Sequence, residues 1–187
     1  MDDEKLEELR WRVGAGTSSL EKLARRIPGY AGYKDQENRR DADKILREFL
    51  ASELEKGKKR LEKIKYRRSK SLMLDDLDEL DRMSGKIERV IDRMKVIGYG
   101  YTGFFDAIRI REQELDMMYA YDSSLTDEID EINNRIKVLE DTKDKEPIPQ
   151  EALSALEESI DTLEERLDDR KSIILGVKWD ESIFRDN

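Results

Sequence analysis

Apolar residues along this chain recur at alternating intervals of three and four, the spacing that lines them up on one stripe of an α-helix. Leu6, Leu9, Val13, Gly16, Leu20, Leu23 and Ile27 keep that alternation through the first segment. Gly14, Gly16 and the capping-box pattern Ser18-x-x-Glu21 weaken its middle, yet the phase carries across them. This predicts one helix over about 3–27, stopped by Pro28 and Gly29. Leu46, Leu50, Leu54, Leu61 and Ile64 mark a second helix over about 34–69. Leu77, Leu80, Ser84, Ile87, Ile91 and Met94 mark a third over about 72–97, which Gly98 to Gly103 interrupt. Leu125, Ile129, Ile132, Ile136 and Leu139 give a fourth over about 104–141. After a polar linker from Lys143 to Pro149, a fifth helix over about 150–173 carries Leu153, Leu156, Ile160, Leu163 and Leu167. The tail from Ile174 to Asn187 has no period, and its apolar residues are expected to fold back on the helices. No segment alternates with period two between hairpin turns.

A repeated loop organises these helices. Gly29-Tyr30-Ala31-Gly32-Tyr33-Lys34-Asp35 matches Gly100-Tyr101-Thr102-Gly103-Phe104-Phe105-Asp106 at four of seven positions, with an offset of 71 residues. The helices that follow the two loops also match in length. The expected fold is therefore all-α: an elongated antiparallel helical bundle, coiled-coil-like, built from a duplicated αα-hairpin plus a fifth helix. As one domain of 187 residues it divides into a first hairpin over 1–70, a second over 71–142, and linker, fifth helix and tail over 143–187. Alternation of direction would bring both aromatic loops to one end.

Composition agrees with long, thin helices. Charged residues make up 43% of the chain against 37% hydrophobic, far above the roughly 25% charged of an ordinary globular protein. The chain has no Cys and no His. That excludes disulfides, thiolate zinc sites, a cysteine nucleophile, a Ser-His-Asp triad and imidazole metal ligands. The acidic start Met-Asp-Asp-Glu-Lys has no apolar h-region behind it, and no stretch approaches the ~20 apolar residues of a membrane span. The expected location is the cytoplasm, and no cofactor or metal site is predicted.

Three patterns compete as functional features. The aromatic end gathers Tyr30, Tyr33, Tyr99, Tyr101, Phe104 and Phe105. Such rings either close a bundle end or form a docking surface, since Tyr suits a place with one apolar face and one wet tip. A basic run, KGKKRLEKIKYRRSK, carries Lys56, Lys58, Lys59, Arg60, Lys63, Lys65, Arg67, Arg68 and Lys70 against Glu62 alone. Shifted by 71 residues it falls on 127–141, where six acids face Arg135 and Lys137, so the two arms are expected to lie level and complement each other. Anionic lipid is the alternative for this arm, and the net charge of −9 works against nucleic acid. Third, Asp75-Asp76-x-x-Glu79 and Glu157-Glu158-x-x-Asp161 place carboxylates on single helical faces, a pattern used by magnesium-dependent all-α nucleotide hydrolases but also by any exposed coiled-coil face.

The sequence thus points to a non-enzymatic cytoplasmic helical scaffold or adaptor that binds a protein partner or itself through the Gly-Tyr-x-Gly-aromatic end. The alternatives are a peripheral membrane-associated stress or remodelling protein of helical-hairpin type, analogous to the phage-shock and ESCRT-III polymers, and a magnesium-dependent nucleotide-hydrolysing enzyme.

Overall fold

The computed structural model describes residues 16–32, 39–96 and 112–174. These contain five α-helices and no strand: α1 (Gly16–Arg26), α2 (Arg39–Lys70), α3 (Asp75–Val96), α4 (Glu112–Asp141) and α5 (Gln150–Ile174). The protein is all-α, with helices packed on one another through the apolar stripes read from the sequence. Leu46, Leu50, Leu54, Leu61 and Ile64 on α2 are at most 1% exposed, and the α4 stripe from Leu125 to Leu139 is fully buried. The predicted start of the first helix, the residues before α2 and α4 and the tail beyond α5 lie outside the described residues.

One helix begins later than its heptad phase suggests. α3 starts at Asp75, because residues 71–74 are used to end α2. Leu72 N–H donates to the Ser69 carbonyl at 3.4 Å and Met73 N–H to the Arg68 carbonyl at 3.1 Å, while Leu72 sits at φ +60°. This is a Schellman cap. Its left-handed position is normally glycine, and here it is leucine. Charge assists the ends: Asp75, Asp76 and Asp78 occupy the first turn of α3, and Arg67, Arg68 and Lys70 the last turn of α2.

The chain forms two compact units, each drawing on separate stretches of the sequence. The first takes its described residues from Met1–Arg47, Ile97–Leu125 and Arg166–Asn187, the second from Glu48–Val96 and Thr126–Glu165.

In the second unit α2 runs antiparallel to α3, joined by Glu55–Lys95, Lys58–Glu88 and Lys65–Asp81 pairs. It runs parallel to α4, as Arg60 pairs with Glu140 and Arg67, further along, with Asp144. α3 is likewise parallel to α5, through Arg82–Glu157 and Lys86–Asp161. Within this unit α2 and α3 therefore run antiparallel to each other, and each lies parallel to the helix it pairs with, α4 or α5. Gly57 permits the close approach of α2 and α4. A Cβ there would meet Asn133 Oδ1 at 2.9 Å and Ile136 Cδ1 at 3.0 Å.

In the first unit, the turn after α1 depends on two glycines in the left-handed region, Gly29 at φ +80° and Gly32 at φ +79°. Beside Gly29 the nearest atom is 4.0 Å from a built Cβ, whereas at Gly32 Leu20 Cδ1 and the Tyr119 hydroxyl both stand at 2.8 Å. Tyr119 is 3% exposed, so its rigid ring would have to shift within a packed interior. Gly32→Ala should therefore lower stability by about 2–3 kcal/mol, backbone strain plus overpacking. Gly29→Ala, with strain alone, should cost about 1 kcal/mol. Parallel denaturant titrations of the two variants test the difference, and equal losses would refute the steric account.

Candidate functional site

The aromatic end is visible at one of its six predicted positions. Tyr30 follows Gly29 with its backbone N–H bonded to the Ile27 carbonyl at 3.1 Å, and its side chain is only 5% exposed. It closes the end of α1 from inside. Tyr33, Tyr99, Tyr101, Phe104 and Phe105 lie outside the described residues.

The basic arm is fully described, and its nine cations divide by helical angle. Four face neighbouring helices and are spent inside the second unit. Lys58 pairs with Glu88 at 2.9 Å, and Lys65 with Glu62 at 3.1 Å and with Asp81. Arg60 Nη2 and Nε donate to Glu140 Oε2 at 2.7 and 3.1 Å, and its Nη1 reaches the Asn133 carbonyl at 3.2 Å. Arg68 is 1% exposed. Its guanidinium lies 3.4 Å from Asp76 and donates to the carbonyls of Glu146 and Thr142, while Asp76 also accepts the Ile148 N–H at 3.3 Å. Arg68 thus ties the end of α2 to the start of α3 and to the linker before α5. Half-exposed Arg67 donates to the Glu140 carbonyl at 2.9 Å. Of the acids predicted level with the arm, Glu140 is the one these bonds engage; the other acidic partners come from α3, the linker and α2 itself.

The remaining four cations, Lys56, Lys59, Lys63 and Lys70, are exposed. Their spacing of three, four and seven puts them on one face, opposite the buried Leu54 and Leu61. Tyr66 shares that face, 64% exposed, with Lys70 Nζ 5.4 Å from the centre of its ring. Beyond it the turn exposes Leu72 by 79% and Leu74 by 59%. A left-handed leucine projecting into water combines backbone strain with unburied apolar surface, and neither stabilises the chain.

Four of the six patterned carboxylates, Asp76, Glu79, Glu157 and Asp161, form ion pairs. Glu157 receives Arg82 and Lys86, and hydrogen bonds from those two side chains hold its carboxyl at about 2, well below the usual range. Glu79 pairs with Arg82, and Asp161 with Lys86. Among the described residues no group of three or more Asp, Glu, His or Cys side chains gathers as metal ligands would, and no helix is long and apolar enough to cross a membrane.

A further cluster is absent from the sequence reading. In the first unit Asp43, Arg47, Asp122 and Arg170 are all under 9% exposed. Arg170 bridges Asp43 at 2.8 Å and Asp122 at 2.7 Å, and Arg47 Nε donates to Asp43 at 2.8 Å. Burial alone would push the Asp43 carboxyl up; Arg170 and Arg47 together reverse this and hold it below its ordinary value. Nearby, Tyr121 donates to the Arg166 carbonyl at 2.9 Å, and burial raises its phenol pKa. Every charge in this cluster has a partner, which suits a device that fixes helix register more than a reacting centre. No family model matches this chain, and neither does a curated protein or a solved structure.

Proposed function

We propose that this chain is a non-enzymatic cytoplasmic scaffold that holds a protein partner on the outer face of α2 and the turn behind it. The observation that carries the reading is Leu72, a leucine at φ +60° in a position suited to glycine, 79% exposed beside exposed Tyr66 and Leu74. Folding would be better served by glycine there, so the exposed leucine is accounted for by contact with something outside the chain. Tyr30, buried under its own loop, serves the closure of the aromatic end in this reading, so docking moves from that end to the turn after α2.

The decisive variant is Leu72→Gly, because stability and function should move in opposite directions. Removing the strain should stabilise the protein by about 1 kcal/mol, which for a chain of this size raises Tm by about 2–4 °C. Partner capture from native cells, quantified by mass spectrometry against the unaltered chain, should fall with it. An unchanged capture profile would overturn the reading, and no misfolding argument could rescue it in a variant more stable than the original.

A second reading draws on the same turn. Lys63 and Lys70 flank Tyr66, and the exposed leucines follow, an arrangement also suited to peripheral attachment to an anionic membrane. Pelleting with anionic vesicles that Leu72→Gly abolishes would favour it over a protein partner.

A further inference from the structure

Two exposed stripes of opposite charge lie on different helices of the second unit at the same spacing. On α2, Lys56, Lys63 and Lys70 stand seven residues apart, all exposed, with Lys59 between the first two. On α5, Glu151, Glu158 and Glu165 also stand seven residues apart and are exposed. Each stripe spans fourteen residues, about 21 Å of helix. Each also lies two residues, about 200° around the helix, from its own buried positions: Leu54, Leu61 and Arg68 on α2, and Leu153, Leu156 and Leu163 on α5.

Neighbouring charges that could neutralise the stripes are largely engaged elsewhere. Glu55 is taken by Lys95, Glu62 by Ser84 and Lys65, and on the other side Lys86 is taken by Glu157 and Asp161. Lys56 touches Glu53 at 2.6 Å yet remains 64% exposed. The chain therefore presents a lysine row and a glutamate row of equal length and equal pitch.

We infer that copies of this chain associate through these rows, the lysine face of α2 in one copy against the glutamate face of α5 in the next. The shared heptad spacing lets three cation–carboxylate pairs form in register along the two helices, as charged flanking positions do across coiled-coil seams. The contact is head-to-tail, because the two faces are complementary and neither complements itself. Each copy that uses one row keeps the other free, so association adds copies in series and grows with concentration. Exposed pairs are individually weak and screened by salt, so the assembly belongs to low ionic strength. The inference rests on the scaffold reading only in taking the outer helix faces as working surfaces.

Sedimentation velocity on the full chain tests it, at ionic strengths of about 0.02 M and about 0.5 M. The weight-average mass should rise with concentration at low salt and return to that of the monomer at high salt. Lys56→Glu/Lys63→Glu/Lys70→Glu should remain monomeric, as should Glu151→Lys/Glu158→Lys/Glu165→Lys, both keeping the helical circular dichroism of the unaltered chain. Mixing the two should restore association, since the acidic α5 row of the first then meets the basic α2 row of the second. A monomeric unaltered chain under all conditions, or a mixture that stays monomeric, would overturn the inference. So would vesicle binding through the lysine row without self-association. Leu72→Gly leaves both rows intact, so loss of partner docking and loss of self-association can be told apart.

Discussion

Arg68→Met should lower stability by about 3–5 kcal/mol, while Lys63→Met, five residues earlier in the same basic run, should change it by no more than about 0.5 kcal/mol. The arithmetic follows from where each cation stands. Arg68 is 1% exposed and sits 3.4 Å from Asp76, itself 6% exposed. Methionine can fill the space of the aliphatic stem but leaves Asp76 as a buried carboxylate without its counter-charge. It also strips a donor from the Thr142 and Glu146 carbonyls. Removing one partner of a buried pair costs far more than the pair itself contributes, because the survivor keeps its desolvation penalty. Arg68→Met/Asp76→Leu should therefore recover part of the loss. Recovery stays incomplete because the Ile148 N–H then loses its acceptor. Urea denaturation of the three variants checks the order, and a double variant no better than Arg68→Met would sink the account.

The apolar stripes were legible because a heptad of Leu and Ile has few other uses. The charged members of the same stripes were not. Arg68 lies seven residues after Leu61, Asp43 seven before Leu50, Arg47 seven before Leu54, Asp122 seven before Ile129 and Arg170 seven after Leu163. All five occupy stripe positions and all five are buried. Reading the stripe by apolar residues alone truncates it where charges take over, and counting the run 56–70 as one basic arm merges an inward arginine with outward lysines. Phase was the available signal. Buried charges at heptad positions must find each other, so acids and bases in phase on different helices predict an interior network.

The candidate surface was partly legible for a related reason. Spacing alone places Lys56, Lys63 and Lys70 on the face away from Leu54 and Leu61, so that stripe follows from the sequence. The exposed turn does not. A Schellman cap is usually announced by glycine, and Leu72 carries no such mark, so the heptad phase of the third helix runs back through it. The cap became recognisable only through the Met73 to Arg68 hydrogen bond.

The buried network of the first unit carries the other large prediction, and pH gives it a sign. Asp43 has a folded pKa below its ordinary value of 3.8. Its contribution is therefore complete above about pH 4 and is lost as pH falls through the lower folded pKa. Between pH 7 and pH 5 this group gives the unaltered protein almost no pH dependence. Arg170→Met removes the guanidinium that bridges Asp43 and Asp122, leaving Arg47 on Asp43 alone. At pH 7 the variant should be less stable by about 3–5 kcal/mol, the cost of breaking a buried ion-pair network by removing the cation it shares. Burial then weighs more heavily on the two carboxylates that lose this counter-charge, and buried carboxyls take up a proton above their usual range. The folded variant should bind that proton before the unfolded chain does, so its stability should rise as pH falls from 7 to 5. The gap to the unaltered protein should shrink over the same interval. Denaturant titrations at pH 7, 6 and 5 measure it directly, and a gap that stays constant would show that Arg170 acts by packing and not by charge.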